Sequence, residues 1–276
     1  MDRIERNWTP LPFLAGAALI SAALCAGLGY AGWVLFAGML LVWFCAAFAG
    51  LLLLYVLYLF LTSLFIDASR PQTRYERYYS AMTCFVEGLV PALARVRIHV
   101  SGCWDKLPEG RFLLVSNHRS NFDPLVTGWA LRRRRMAFIL KPSIGRLPIV
   151  GPYIHRACYL AIDRENDREA LKTILAAAKL MKGDVVSFAI YPEGTRNTGA
   201  EMLPFRAGAF KIAQRAEAPI VAAAIRGTEN IKRNFPWRPT DVWLDFRAVL
   251  DVETVSRMNT SEIGEEVRKC ITFAGF

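Results

Sequence analysis

The chain has 276 residues, 54% of them hydrophobic, and a formal net charge of +10 at neutral pH, so it suits one large domain or two small ones. A basic chain suits anionic partners, and the apolar amino-terminal region, without any aromatic-and-basic nucleic-acid motif, favours membrane lipid and excludes nucleic acid. Six scattered cysteines without a Cys-x-x-Cys pair, and three widely separated histidines, argue against a disulfide framework and against a metal site.

The first predicted element is a charge-free apolar stretch that runs from Asn7 to Ile66 and contains three glycines near its middle. About 20 apolar residues cross a bilayer core, so this stretch is long enough for two spans. We predict a two-helix membrane hairpin, with helices at about 11–28 and 35–62, inside an anchor of residues 1–72.

Arginines flank both ends of the stretch, and its middle has neither Lys nor Arg. The positive-inside rule then places both ends, and the rest of the chain, on the cytoplasmic side, at the inner membrane if the cell is bacterial. A monotopic hairpin that enters one leaflet fits the same charges as an integral one. A cleaved signal peptide fits less well, because the run is long and lacks a clear cleavage site.

The second predicted domain covers residues 73–276 and alternates strand-like with helical patterns. Residues 73–93 mix aromatic side chains with arginines, as an interfacial belt or an amphipathic helix does. Beyond them, alternation predicts the α/β class, with a mixed, largely parallel central sheet flanked by helices. The predicted strands are at about 95–101, 111–116, 136–140, 158–162, 184–190, 219–225 and 241–250, and the helices at about 124–134, 166–182, 205–216 and 261–273.

A polar stretch from Asn117 to Pro124 joins the second of these strands to a helix. Proline suits the first turn of a helix, and an aspartate before it suits the N-cap, so Asp123 is expected at the helix start. His118 should lie on the preceding turn, where its side chain can meet Asp123. A carboxylate against one imidazole nitrogen fixes the tautomer and makes the other nitrogen a better base.

Two other interpretations of this stretch stay open. Asp123 can be a helix cap only, and Ser120 next to His118 raises the possibility of a Ser-His-Asp hydrolase. The chain has no Gly-x-Ser-x-Gly elbow, however, and a serine two residues from its own base is poorly placed for a triad.

Three further stretches carry residues suited to anion binding. Lys141 and Arg164 bracket a region rich in proline and glycine, and either can reach an anion, although Arg164 can also pair with Asp163 on the surface. The sequence Tyr-Pro-Glu-Gly-Thr-Arg, which ends at Arg196, follows an apolar strand, at the edge where open α/β sheets place their ligands. A third stretch, residues 205–223, has a basic, glycine-containing helix start before a small-residue strand.

In this order and spacing, Asn-His-x4-Asp, Lys…Pro…Gly…Asp-Arg, Pro-Glu-Gly-Thr-Arg and Ala-Pro-Ile-Val resemble the glycerolipid acyltransferases, and most closely the 1-acylglycerol-3-phosphate acyltransferases. The resemblance covers roughly residues 95–230. It implies the glycerol-3-phosphate acyltransferase-like fold and acyl transfer from acyl-CoA or acyl carrier protein to the sn-2 hydroxyl of lysophosphatidic acid, without a metal or redox cofactor. Three departures bear on substrate detail, namely Ala157 for the usual glycine, Leu160-Ala161 for a bulkier pair, and alanines at the end of the fourth block.

The resemblance also implies roles for individual residues. His118 would be the general base, and Asp123 would orient it. The acceptor site would contain Glu193, Gly194, Thr195 and Arg196, with Arg196 on the phosphate and Lys141 and Arg164 assisting. The alternatives are an acyltransferase for another lysolipid, such as a lyso-ornithine lipid or a different lysophospholipid, or a non-catalytic lipid-binding protein on the same fold.

Overall fold

The computed structural model describes residues 3–30, 32–199 and 201–272. The chain divides into two compact units, one formed by residues 7–66 and the other by the segments on either side of them. Each unit is described separately.

The first unit consists of the two predicted apolar helices, α1 (Leu11–Leu28) and α2 (Trp33–Ser63). Both are long and apolar enough to cross a membrane. Their connection is tight because two glycines, Gly29 and Gly32, adopt positive φ angles of 60° and 85°, which side chains disfavour. At a rise of 1.5 Å per residue, α2 is about 46 Å long and exceeds the roughly 30 Å core of a bilayer.

The two helices pack along a seam of mostly small side chains. Phe13, Ala17, Ser21 and Cys25, four residues apart, are the buried positions of α1, and this spacing puts them on one face. The Phe13 ring meets the Tyr55 ring edge to face at 5.6 Å. Small residues at such a seam let two helix backbones approach closely, which stabilises helix pairs in lipid.

The second unit is built on one eight-stranded sheet, in the order β1-β2-β8-β7-β3-β6-β4-β5 among the described residues. Five neighbouring strands, from β7 to β5, run parallel, whereas β8 and β2 run in the opposite direction. This confirms the predicted mixed, largely parallel sheet. The strands are β1 (Arg3–Glu5), β2 (Val96–Gly102), β3 (Leu113–Ser116), β4 (Met136–Leu140), β5 (Leu160–Ala161), β6 (Ser187–Ile190), β7 (Ile220–Arg226) and β8 (Thr240–Leu250).

The helices that flank the sheet are α3 (Arg77–Leu93), α4 (Asp123–Ala130), α5 (Pro142–Gly145), α6 (Val150–Arg156), α7 (Asp167–Lys182), α8 (Lys211–Ala216), α9 (Ile231–Asn234), α10 (Val252–Arg257) and α11 (Thr260–Thr272). Helix α7 matches the helix predicted at about 166–182. It begins after Asn166, whose side chain caps it by accepting the N–H of Glu169 at 3.2 Å. The helix predicted at 205–216 is shorter, because residues 207–210 form a 3₁₀ turn before α8.

Strand β1 lies outside the sequence predictions, which assign residues 1–72 to the membrane anchor. It pairs antiparallel with β2 and closes that edge of the sheet, with Ile4 opposite His99. Its last residue, Glu5, is buried and binds Arg132 at 2.6 Å and Arg3 at 2.9 Å. A three-residue strand has too little pattern to detect, so this pairing is visible only in the structure.

A buried carboxyl, that of Glu87 on α3, lies in the contact between α3 and α4. Gly128 on α4 makes room for it, because a Cβ atom at that position would be 2.2 Å from Glu87 Oε2. The Tyr159 hydroxyl donates a hydrogen bond to Glu87 Oε1. Burial raises the pKa of Glu87 to about 8, although the Tyr159 hydrogen bond acts in the opposite direction.

We therefore expect the free energy of unfolding to fall as the pH rises from about 4.5 to about 8. Below the ordinary pKa the carboxyl is protonated in both states, whereas between the two values the unfolded chain ionises and the folded chain does not. Glu87→Gln, which keeps the neutral shape and the acceptor for Tyr159, should remove this pH dependence.

The measurement is the melting temperature of wild type and variant in detergent between pH 5 and pH 8. The free energy of unfolding of Glu87→Gln, relative to that of the wild type, should increase by on the order of 2–5 kcal/mol over this pH range. The difference in melting temperature between the two proteins should therefore grow as the pH rises. The exposed Glu165→Gln serves as the matched control, and melting curves that shift in parallel for wild type and Glu87→Gln would contradict the assignment.

Candidate active site

The site forms where the central parallel strands end. β3 is buried along its whole length and lies between β7 and β6, so the turn after Ser116 emerges at the middle of the carboxyl edge. The predicted site residues all follow strands that end at this edge. His118 follows β3, Lys141 follows β4, Arg164 follows β5, and Glu193 to Arg196 follow β6.

His118 and Asp123 are in direct contact across the turn. His118 Nδ1 is 2.7 Å from Asp123 Oδ2. The Asp123 side chain is fully buried, whereas 17% of the His118 side chain is exposed. Because a carboxylate can only accept a hydrogen bond, Nδ1 carries the proton and Nε2 is the acceptor nitrogen of the neutral ring.

The buried Asp123 carboxylate collects three more donors. Its Oδ2 atom accepts the backbone N–H groups of Arg119 at 2.6 Å and Ser120 at 2.8 Å. Its Oδ1 atom accepts the hydroxyl of Thr228, which follows β7. A buried charge is tolerated when it is hydrogen-bonded in this way, and the same bonds hold the turn in place.

The structure corrects the expectation that Asp123 caps the following helix. Helix α4 begins at Asp123 itself, its N-cap residue is Phe122, and no side chain caps it. The Asp123 carboxylate turns back to the preceding loop instead. The helix also ends at Ala130 rather than at 134, and Arg132 turns away to bind Glu5 at 2.6 Å.

Glu193 connects the β6 loop to the β3 loop. Its Oε1 atom accepts the N–H of His118 at 2.9 Å, and its Oε2 atom accepts from Asn197 Nδ2 at 3.2 Å and Leu203 N at 3.0 Å. Both oxygens are thus engaged with protein donors. These bonds hold the His118 backbone and the residues after Glu193 in fixed positions.

Asn117 connects β3 to β7 in the same manner. Its side-chain Nδ2 donates to Ile225 O at 2.9 Å, and its Oδ1 accepts from Ile225 N at 2.8 Å. The Asn117 side-chain amide thus exchanges two hydrogen bonds with the Ile225 backbone, in the same way as the backbone of a neighbouring strand would, just beyond the end of β3. This reciprocal pair fixes the position of the β3 loop against the loop that carries Thr228.

Tyr191 packs flat against the imidazole of His118. Their ring centroids are 4.5 Å apart and the planes differ by 16°. Burial, together with the nearby Asp123 carboxylate, raises the pKa of Tyr191 well above its usual value, so the phenol stays neutral. A neutral aromatic ring therefore covers one face of the His118 imidazole.

Basic side chains gather beside this loop. Gly194 has a φ of 76°, and a Cβ atom there would be 2.9 Å from Arg206 Nε. Arg206 N donates to Pro192 O at 3.0 Å, and Arg206 Nη1 is 3.5 Å from Arg164 O. Burial, and then the charge of Arg206, lower the pKa of Arg164, because a nearby cation disfavours the charged form of a second one.

Three other predicted residues lie on the surface of the same edge. Lys141, Thr195 and Arg196 are exposed. Within the described part of the chain, the Glu193 carboxylate makes no ion pair with Arg196, which leaves this guanidinium available to an anion.

Ser120 is poorly placed to act as a nucleophile. Its hydroxyl is buried and accepts the N–H of Phe122 at 3.3 Å. Across residues 3–30, 32–199 and 201–272, no group of three His, Cys, Asp or Glu side chains is arranged to hold a metal ion. The candidate chemistry at this edge is therefore that of the His118–Asp123 pair.

Residues 97–226 match the family model described as Acyltransferase. They form an acyltransferase-family domain. The match runs from β2 to β7, so it contains the site residues predicted from sequence and leaves out the hairpin and everything after β7, including Thr228.

Curated relatives of the acyltransferase domain carry the name 1-acyl-sn-glycerol-3-phosphate acyltransferase. The Haemophilus influenzae protein is 28% identical over 159 residues, which are 58% of this chain and 66% of that protein. The Salmonella typhimurium protein is 33% identical over 121 residues, covering 44% and 49% of the two chains. The human alpha form is 33% identical over 130 residues, covering 46% and 44%. The chain thus spans between about half and two thirds of these relatives.

A crystal structure shares the fold. The 1-acyl-sn-glycerophosphate acyltransferase PlsC from Thermotoga maritima superposes with a TM-score of 0.56, at 20% identity, over 80% of this chain and 86% of that one. At this identity the likeness establishes the architecture alone, including the predicted class of sheet.

Four residues with contacts at the candidate site were not assigned those contacts from sequence. The role of Thr228 has no local signal, because its partner Asp123 is 105 positions away. Asn117 and Tyr191 belong to the quoted motifs, but only the fold gives them partners. Arg206 had a signal, since it lies in the basic, glycine-containing stretch before α8.

Proposed function

We propose that this protein transfers a fatty acyl group from acyl-CoA or acyl carrier protein to the sn-2 hydroxyl of 1-acylglycerol-3-phosphate, giving phosphatidic acid. The observation that carries the proposal is the contact between His118 Nδ1 and the buried Asp123 carboxylate, inside a domain of the acyltransferase family. The names of the curated relatives supply the acceptor.

In the proposed reaction, His118 Nε2 takes the proton of the acceptor hydroxyl while that oxygen attacks the thioester carbonyl. The tetrahedral intermediate collapses, the C–S bond breaks, and the departing thiolate receives the proton from the imidazolium. Asp123 keeps the ring in the required tautomer and stabilises its charged form.

We assign the acceptor phosphate to the basic residues of the edge. Arg196 is exposed and Arg164 lies beside Arg206 with a lowered pKa, so an anion placed among them would relieve the repulsion. A guanidinium binds a phosphate through two parallel hydrogen bonds, which an ammonium group cannot match. No residue of this scheme requires a metal or redox cofactor.

We also propose that the apolar helices insert in the membrane with both of their ends on the cytoplasmic side. The sheet supports this topology, because β1 precedes the hairpin, β2 follows it, and the two strands pair. Two paired strands must lie on the same side of a bilayer.

The dyad is tested by replacing its members. His118→Ala should lower turnover by roughly 10²–10⁴-fold or more, the contribution of a general base, and Asp123→Asn should be similarly severe because the tautomer is lost. Ser120→Ala is the matched control from the same turn and should retain most activity. Near-normal turnover of folded His118→Ala in a detergent assay would refute the mechanism, and an inactive Ser120→Ala would favour a hydrolase.

The phosphate assignment is tested by separate KM measurements for the two substrates. Arg196→Ala should raise the KM for lysophosphatidic acid about 10–100-fold, since charge-assisted hydrogen bonds contribute about 1.5–3 kcal/mol each. Arg196→Lys should recover part of the loss, and the KM for the thioester should stay nearly unchanged.

The control for this test is Arg257→Ala. Arg257 is an exposed arginine on α10, which follows β8 at the edge of the sheet opposite the candidate site. Its loss should change neither KM. Equal losses for both substrates in Arg196→Ala, together with a lower melting temperature, would mean that Arg196 only supports the loop.

The topology is tested with an epitope tag at either terminus in sealed vesicles of known orientation. Added protease should remove both tags from inside-out vesicles and neither from right-side-out ones. Removal of one tag from each kind of vesicle would show that the apolar segment crosses the membrane an odd number of times.

A further inference from the structure

A short surface loop after β7 combines basic and aromatic side chains. Residues 231–239, here named the basic aromatic loop, contain Lys232, Arg233 and Arg238 and no acidic residue. Within it Trp237 is 85% exposed and Phe235 is 50% exposed. Large aromatic side chains rarely stay this exposed without a partner, and the loop lies outside the residues that match the family model.

The loop is held rigidly in this exposed form. Arg95 Nη1 donates to the carbonyl oxygens of both Pro236 and Trp237, each at 3.0 Å. Inside the loop, Phe235 N donates to Ile231 O at 3.0 Å, and Arg238 N donates to Asn234 O at 2.8 Å. The buried Ile231 side chain fixes the start of the loop in the core. The aromatic tip is therefore preorganised, which lowers the entropy lost on binding.

The neighbouring acidic groups do not neutralise the loop. Glu229, just before it, forms an ion pair with Arg119 at 3.3 Å, and the Asp241 carboxylate, just after it, is engaged by His99 Nε2 at 2.7 Å rather than by a basic residue of the loop. Arg95, which holds the tip, adds a further exposed positive charge. The loop thus combines an exposed tryptophan with the exposed basic side chains of Lys232, Arg233 and Arg238.

We propose that the basic aromatic loop is a second membrane-binding surface, which inserts Trp237 and Phe235 into the interface of an anionic lipid leaflet. Tryptophan prefers the headgroup level of a bilayer, where its ring is buried and its N–H remains hydrogen-bonded. Basic residues around it gain from the negative potential of anionic lipid. If the apolar helices are inserted in a bilayer, they also keep the basic aromatic loop close to that bilayer, which raises the effective concentration of lipid at the loop.

The position of the loop gives the docking a consequence for the site. Thr228, three residues before the loop, bonds the buried Asp123 carboxylate, and β7 ends at the catalytic edge. Docking of the loop would bring that edge towards the lipid surface, where lipid substrates reside. The proposal itself concerns membrane binding and does not depend on which reaction the domain catalyses.

The experiment uses the full-length protein in liposomes and isolates the fluorescence of Trp237 as the difference between wild type and Trp237→Phe. With phosphatidylglycerol present, this difference signal should shift to shorter wavelength. It should also be quenched by dibrominated phosphatidylcholine and be protected from iodide. The fluorescence of Trp129, isolated in the same way, is the control, since it is 1% exposed in the core of the same domain and should respond to neither quencher.

The contribution of charge is tested with a triple variant that replaces Lys232, Arg233 and Arg238 with Gln. Each basic residue near an anionic leaflet should favour the docked state by about 5-fold, so the dependence of Trp237 quenching on phosphatidylglycerol should be lost. Trp237 that stays open to iodide and unquenched by brominated lipid in every liposome would overturn the proposal. Iodide protection that appears only on adding an acidic carrier protein would also overturn it, and would make the loop a protein-docking surface.

Discussion

The buried carboxylate of Asp123 is the charge that organises the candidate site. A carboxylate without water needs several donors, and here they come from the β3 turn, from His118 and from the β7 loop. The two carboxylate oxygens of Asp123 thereby fix the position of every one of these donors. The orientation of the His118 imidazole therefore follows from the need to hydrogen-bond the buried carboxylate. If a loop moves away from Asp123, the carboxylate loses a hydrogen-bond donor.

Two further side chains, Glu193 and Asn117, fix the loops around Asp123. Glu193 binds the His118 backbone from the β6 loop, and Asn117 pairs with the β7 backbone. The three central strands are thus joined beyond their last ladder bonds. Such side-chain pairing makes the loops behave as rigid parts of the sheet, and it holds the His118 and Asp123 side chains in a fixed relative position.

The sequence was sufficient for the features that depend on local pattern. Apolar runs and helical periodicity identify the strands of the central sheet, helix α7 and the two apolar helices, because each element must bury its own face. The polar turns after β3 and β6 were also predictable, since strand ends at one edge bring their residues together. The remaining features depend on contacts between distant segments. Neither the bond from Thr228 to Asp123 nor the engagement of Glu193 by His118 N has a local signal.

Strand β1 imposes an order on how the chain is assembled. It is translated before the apolar hairpin, and its partner β2 only after the hairpin. The first strand therefore stays without its partner until both helices have been made. If the helices enter a bilayer, β1 and β2 can pair only when the chain returns to the side on which it started. Completion of the sheet edge, with Glu5 buried against Arg132, then depends on the hairpin, because a hairpin that left β1 and β2 on opposite sides of a bilayer would leave the sheet one strand short.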